Sequence, residues 1–268
     1  MSLAEHTDQS VGPGAARRQP GVMAPFRLEA LAPTADVRGL DPAARALTAA
    51  VALALTDADL KLTGTVRERT GLFVGTTNAS PTSWEEFRAS VRDRGLGRAS
   101  APAFTRLVLN GSSGTASRLL GLRGPGTTVT CGAGSGLLAT ILGAIHLASR
   151  TDVDQLVVAG VDEVDRAVDS RLSDGAAALV LTTLIGNCTV RVAGWGIAGP
   201  AHLEAAIAQA CGAAVLPASA PHFPALASGS LFSAVRAVHA LRLAPGRILI
   251  TDVSTVASCA VVFERSDA

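Results

Sequence analysis

The sequence predicts an α/β fold in which mixed, largely parallel sheets lie between layers of helices. Short apolar runs such as residues 71–76 (GLFVGT) and 156–160 (LVVAG) have the length and composition of strands that are buried on both faces. They alternate with longer stretches, such as residues 41–55 and 135–148, in which apolar residues recur at helical spacing. Strands and helices that alternate along a chain pack as largely parallel sheets covered by helices.

Short sequence signals predict where the individual helices, strands and turns lie along the chain. Asp41 followed by Pro42 predicts the start of the first long helix, because Asp caps a helix and proline suits its first turn. Gly124-Pro125-Gly126 predicts a turn, because no helix crosses such a sequence. Further helices are predicted over residues 84–94, 110–120, 202–211 and 230–241. Further strands are predicted over residues 127–131, 176–181, 190–196, 248–251 and 257–263.

Length and charge exclude several classes of protein. The chain has 268 residues, of which 48% are hydrophobic, and this is enough for one sizeable core. Residues 1–25 are rich in Gly, Pro, Gln and Arg and are interpreted as a flexible leader, which leaves residues 26–268 as a single domain. The 23 basic and 22 acidic residues are not gathered into blocks, which argues against nucleic acid as a partner.

Signals for export, membrane insertion and metal binding are missing from the sequence. The first residues are polar, and the apolar stretches are shorter than the roughly 20 residues of a membrane helix, so we expect a cytoplasmic protein with no membrane partner. The four cysteines lie far apart without a CxxC pair, so neither a disulfide framework nor a metal site is predicted. No cofactor is expected, because no dinucleotide or phosphate-binding motif stands out.

Residues 120–144 (LGLRGPGTTVTCGAGSGLLATILGA) resemble the nucleophile region of the β-ketoacyl synthases, a family of the thiolase superfamily. The stretches LVVAGVDEVD (156–165) and SDGAAALVL (173–181) also resemble segments of this family, in the same order. The resemblance implies a thiolase-like layered α/β/α/β/α fold. Its N-terminal half would span residues 26–185, and a shortened C-terminal half would span residues 186–268.

The resemblance also shows departures at the positions that carry the family's chemistry. Members of the family condense acyl and malonyl units on a cysteine at the head of a buried helix, assisted by two histidines. Aligning GPGTTVTCGAGSG with the family pattern GPSxxVxTACSSS puts Ala133 at the cysteine position, with Cys131 two residues earlier. The loop of the first histidine has no counterpart between residues 194 and 227, and Gly229 occupies the position of the second.

The glycine-rich turn near the C-terminus of active members is replaced as well. It aligns with DVSTVASCAV (252–261), which has no glycine and places Cys259 opposite an asparagine of the family. These coinciding departures predict that condensing activity is lost and that the chain has no catalytic residue for it. The small residues around the turn, from Gly132 to Gly136, either leave room for an acyl chain or allow close packing.

Three functions remain open from the sequence. The first is a non-catalytic subunit, similar to a chain length factor, that pairs with an active ketosynthase or with itself in polyketide or fatty-acid-type biosynthesis. It would help to shape the acyl site through Cys131, Ala133, Ser135, Gly229 and Phe232.

The second function is an acyl transferase, thioesterase or dehydratase that acts on acyl thioesters with Cys131 or Ser135 as nucleophile. His222 is its fallback base, and Cys259 and Asp174 are weaker candidates. The third is a module that binds an acyl carrier protein without turnover. Its candidate contacts with an acidic carrier surface are Arg106, Arg118 and Arg123.

Overall fold

A computed structural model of the chain describes residues 26–33, 36–78, 80–164, 172–184, 190–212, 218–219 and 225–266. The predicted leader (residues 1–25) and His222 lie outside the described residues. The strands, in chain order, are β1 (Thr70–Thr76), β2 (Gly126–Val129), β3 (Gln155–Asp162), β4 (Gly175–Thr182), β5 (Arg191–Ala198), β6 (Ala218–Ser219), β7 (Gly246–Val253) and β8 (Ser258–Arg265).

Within the described residues, these strands form two four-stranded sheets. The first has the order β2-β1-β3-β4, in which β1 is parallel to both neighbours and β4 is antiparallel to β3. The second has the order β5-β8-β7-β6, in which β6 is parallel to β7 and β8 is antiparallel to both neighbours. The predicted α/β class with mixed sheets is confirmed. Parallel pairing dominates the first sheet, whereas β7 and β8 are joined by a short turn that only an antiparallel pair allows.

Helices cover both sheets and fill the space between them. They are α1 (Leu28–Leu31), α2 (Pro42–Asp57), α3 (Gly64–Glu68), α4 (Pro81–Arg94), α5 (Ala101–Leu107), α6 (Gly111–Leu120), α7 (Ser135–Ser149), α8 (Leu203–Cys211) and α9 (Ala227–Leu243). Helices α2 and α6 pack on the outer face of the first sheet, and α8 packs on the outer face of the second. Helices α7 and α9 lie between the sheets, which gives the five layers of the expected α/β/α/β/α arrangement.

Helix α7 is apolar because sheets lie on two of its sides. Leu137 and Ile141 are fully buried against β8, while Gly143 faces Val158 of β3. The window Gly132–Ser149 is long and apolar enough to cross a membrane by length and composition alone, and half of it is buried inside the protein. Its place in the middle layer accounts for that composition.

Candidate functional site

Residues 131–134 turn the chain from strand β2 into helix α7. Gly132 has a φ of +71°, which glycine adopts without the strain that a side chain would bring. Ser135 holds the turn, because its Oγ accepts a hydrogen bond from the Cys131 N–H at 2.8 Å and donates one to the Gly132 carbonyl at 2.6 Å. The hydroxyl has a single proton, so a Ser135 whose proton is held by a carbonyl is poorly placed to act as a nucleophile.

Ala133 lies at the apex of this turn, two residues before the helix begins. It is half-buried, and so is Gly132, which means that the turn reaches the surface there. A methyl group offers neither a nucleophile nor a proton donor. The chemistry available at the apex is therefore limited to the backbone and to neighbouring side chains.

Two thiols border the inner side of the turn. Cys131 is 3% exposed, and Cys259, at the start of β8, is fully buried. A Cβ placed on Gly134 would lie 3.4 Å from the Cys131 Sγ and 3.8 Å from the Cys259 Sγ, so both sulfurs border the space beside this glycine. Asp252 stands opposite Cys259 in the register of β7 and β8 and is also buried.

The two thiols change each other's acidity. A hydrogen bond with the Cys259 thiol is the largest influence that lowers the pKa of Cys131 to about 7, and burial opposes it. The same hydrogen bond, together with burial, raises the pKa of Cys259 above its usual range. Loss of the first proton from this pair is thus favoured, and loss of the second is disfavoured.

The start of helix α9 lies against the start of helix α7. A Cβ placed on Gly136 would lie 2.1 Å from the Ala227 carbonyl oxygen, so the two helices meet with no space for a side chain. Gly229 lies in the first turn of α9 and is buried. At Gly136 the structure therefore favours close packing over room for an acyl chain.

The side chain of Phe232 lies against strand β4. Its ring packs against β4, where a Cβ placed on Gly175 would lie 2.9 Å from it. It also lines an open groove of about 1480 Å³ between the edges of the two sheets, formed by β4, β5 and helix α9. Cys131, Ala133 and Ser135 do not line this groove, so the structure brings these three together but assigns Phe232 to a different surface.

His146 and His239 lie far from the turn along their helices. His146 follows Ser135 by three helical turns on α7, which is about 16 Å along the helix axis. His239 lies about 15 Å beyond Gly229 on α9, and His202 precedes α8 on the outer face of the second sheet. Asp174 accepts a hydrogen bond from the Val164 N–H at 2.7 Å. Within the described ranges no group of His, Cys, Asp or Glu could hold a metal ion.

The three arginines proposed from the sequence lie on the surface of α5, α6 and the loop that follows. Arg106 pairs with Glu86 at 2.5 Å, and Arg123 pairs with Glu68 at 3.0 Å. Arg118 is exposed in the last turn of α6. An acidic carrier protein would have to compete with both of these ion pairs.

Comparison with known proteins identifies the family. Residues 13–189 match the model of the "Beta-ketoacyl synthase, N-terminal domain" family, which is more than half of the chain. The chain belongs to the β-ketoacyl synthase family. No curated protein is detectably similar in sequence.

Solved structures of this family share the fold. "The ishigamide ketosynthase/chain length factor" matches with a TM-score of 0.76 and 17% identity, over 94% of this chain and 89% of the other. A β-ketoacyl synthase from Burkholderia phymatum matches with a TM-score of 0.73 and 13% identity, over 91% and 87% of the two chains. "AntDE:AntF (apo): type II PKS acyl-carrier protein in complex with its ketosynthase bound to the hexaketide" matches with a TM-score of 0.78 and 13% identity, over 98% and 94%. The thiolase-like ketosynthase fold predicted from the sequence is confirmed.

Sequence reasoning missed how the β-ketoacyl synthase fold of this chain fixes the start of α9. Helix α9 has no side-chain cap from its own segment. Instead, Asp162 at the end of β3 accepts hydrogen bonds from the Ser228 N–H at 2.6 Å and the Ser228 Oγ at 2.9 Å. The sequence carries no local signal for this contact, because the partners are 66 positions apart.

Proposed function

We propose that the chain is a β-ketoacyl-synthase-like subunit without condensing activity of its own. It pairs with an active ketosynthase in polyketide or fatty-acid-type biosynthesis and helps to shape the site of the acyl chain. The observation that carries this proposal is Ala133 at the apex of the turn before α7. Two of the structural neighbours support the pathway class, since their titles name a ketosynthase/chain length factor and a type II PKS ketosynthase.

The chemistry of condensation argues for the loss of activity. A thioester intermediate needs a thiolate at the head of the helix, where the helix dipole and backbone N–H groups stabilise negative charge. Ala133 supplies no sulfur, and the Cys131 Sγ lies against Cys259 on the inner side of the turn. His146 and His239 are too distant to assist decarboxylation.

A labelling experiment tests the role of Ala133. We expect an electrophilic acyl-pantetheine probe to leave the wild-type chain unlabelled and to label Ala133→Cys at position 133, because a thiol at the head of α7 would be partly exposed and activated by the helix N-terminus. Peptide mass spectrometry locates the label. The same substitution in a Cys131→Ala background is the control, since it keeps the labelled position and removes the neighbouring thiol. If the Ala133→Cys protein folds and stays unlabelled, residue 133 does not occupy the position of the family's nucleophile.

The outer edge of β2 is the proposed contact with the partner. No strand in the described part of the chain pairs with this edge. Leu72 N–H donates to the Pro125 carbonyl at 2.9 Å on the inner side of the ladder. Since Val74 stands opposite Thr128 in the same parallel register, the Thr128 N–H points outward. The resemblance implies that subunits of this fold pair through the strand region near the nucleophile turn, and β2 is the strand of this chain that leads into that turn.

Thr128→Pro is expected to abolish pairing while β1 and β2 stay paired, because proline removes only the outward N–H and edge strands accept proline. Co-purification with a co-expressed ketosynthase, together with native mass, measures the loss. Thr128→Ala is the matched control: it keeps the N–H and removes only the hydrogen bond between Thr128 Oγ1 and Ser113 Oγ. If Thr128→Pro still co-purifies, the partner does not use this edge. A native mass of two copies in the absence of a ketosynthase identifies the partner as a second copy of the chain.

A second candidate function is supported by one observation. The lowered pKa of Cys131, about 7, gives that thiol the character of a nucleophile for acyl transfer or thioester hydrolysis. In this case the acyl-pantetheine probe labels the wild-type chain, and Cys131→Ala abolishes the labelling. The burial of Cys131 argues against this outcome, since the acyl group would need to enter beneath the turn.

A further inference from the structure

Cys131 and Cys259 come from opposite halves of the chain and meet at one small residue. Both are free thiols. Their sulfurs lie 3.4 Å and 3.8 Å from the same point, the position of a Cβ on Gly134, and each thiol shifts the pKa of the other. No step of the proposed function uses this contact.

The turn that carries Cys131 has few side chains of its own. Gly132 and Gly134 lie on either side of Ala133, so only one of the three residues after Cys131 carries a side chain. A disulfide requires this turn to bring the two sulfurs to a bond length of about 2.05 Å. The turn reaches the surface at Gly132 and Ala133, directly after Cys131, and this is the side from which a molecule as small as hydrogen peroxide would enter.

We propose that Cys131 and Cys259 form a reversible disulfide when the protein meets a peroxide, and that this disulfide ties the turn before α7 to strand β8. The Cys131 thiolate attacks the O–O bond, which gives a sulfenic acid and releases one water after protonation. The Cys259 thiol then attacks the Cys131 sulfur, forms the S–S bond and releases the second water. In sum, two thiols lose two electrons and two protons, and one peroxide becomes two waters.

The proton balance of the pair favours this order of events. The interaction with Cys259 lowers the pKa of Cys131, so Cys131 is the thiol that loses its proton first, while Cys259 keeps its proton until the second step. In a reducing cytoplasm the pair stays as thiols, and thiol exchange restores it after oxidation. The cross-link would lock the junction between the two halves directly beside Ala133, whether or not the chain pairs with a ketosynthase.

Thiol counting on the purified full chain tests the proposal. Treatment with a small excess of hydrogen peroxide is expected to reduce the titratable thiols in denaturant from four to two, and dithiothreitol should restore all four. Non-reducing peptide mapping should find one link, between the peptides of Cys131 and Cys259, with a mass decrease of two hydrogens. The oxidised form should also melt at a higher temperature, because a link between the two halves restricts the unfolded chain.

Single substitutions give the controls. Cys211→Ala removes another buried thiol and should still lose two thiols to peroxide, whereas Cys131→Ser and Cys259→Ser should lose none to a disulfide. If either serine variant fails to fold, the peptide map of the wild-type chain decides alone. A disulfide that involves Cys188 or Cys211, or irreversible oxidation of Cys131 with Cys259 still free, overturns the proposal.

Discussion

Gly136→Ala is expected to destabilise the protein by about 3 kcal/mol, because overpacking of this kind forces the surrounding backbone to move. The new Cβ would lie 2.1 Å from the Ala227 carbonyl oxygen and 2.4 Å from the Leu231 Cδ2. A side-chain methyl can rotate away, whereas a backbone oxygen at the start of α9 cannot. Helices α7 and α9 would have to separate, and the packing of Leu137 and Ile141 with α9 in the middle layer would be weakened. Urea unfolding measures the loss.

Gly114→Ala is the matched control for this prediction. Gly114 also lies in a helix, α6, and a Cβ placed there meets no atom within 4 Å. Alanine has the higher helix propensity, so we expect this variant to be more stable than the wild type by about 0.5–1 kcal/mol. Equal effects of the two substitutions would show that helix propensity, and not the contact with Ala227, decides the response at Gly136.

The sequence predicts the elements whose caps or apolar runs lie within the element itself or directly beside it. Asp41 and Pro42 predict the start of α2, and in the structure the Asp41 Oδ1 accepts a hydrogen bond from the Ala44 N–H at 2.7 Å. The predicted strands over residues 71–76 and 156–160 correspond to β1 and β3, which are buried along their whole length, and this burial is the reason for their continuous apolar runs.

The sequence did not predict the shortest helices and strands, because they are too short to show a regular spacing of apolar residues. Helices α1, α3 and α5 have four to seven residues, and β6 has two. The predicted helix over residues 230–241 starts three residues too late. Its true start, Ala227, depends on a hydrogen bond to Asp162 of β3. A cap that comes from a distant part of the chain gives no signal in the sequence next to the helix.

The candidate site was predictable only where its residues are neighbours in the chain. Cys131, Ala133 and Ser135 were placed together by the resemblance, and they lie together in the turn before α7. Their contact with Cys259 depends on how the second sheet packs against α7, which no spacing in the sequence encodes. Phe232 was assigned to the same site because of its place in an aligned segment, yet its side chain points to β4 and the groove at the sheet edges.

Asp162→Ala is expected to cost about 2–3 kcal/mol of stability, because it leaves the buried Ser228 N–H and Oγ at the start of α9 without the carboxyl oxygen that accepts from both. Asp41→Ala removes a cap that comes from the helix's own flank, together with a long 3.3 Å hydrogen bond from the Ser83 Oγ to the Asp41 Oδ2, and should cost about 1 kcal/mol. It is the control for a cap supplied by the neighbouring sequence. Urea unfolding of the two variants compares them. If Asp162→Ala loses no more than Asp41→Ala, the long-range contact contributes nothing beyond a local cap.

The pH dependence of stability separates the charge of Asp162 from its hydrogen bonds. Burial raises the pKa of this carboxyl above its ordinary value, and the hydrogen bonds from Ser228 only partly offset the effect. A raised pKa means that the folded state binds the proton more tightly than the unfolded state, so this contribution to stability is full below about pH 4 and is lost as the pH rises through the folded-state pKa.

Asp162→Asn keeps the shape and one acceptor oxygen but cannot titrate. The stability of the wild type minus that of Asp162→Asn should therefore fall as the pH rises above about 4 and then level off. A difference that stays constant from pH 3 to pH 8 would mean that Asp162 has the same pKa in the folded and unfolded chain, and that its hydrogen bonds to α9 compensate fully for its burial.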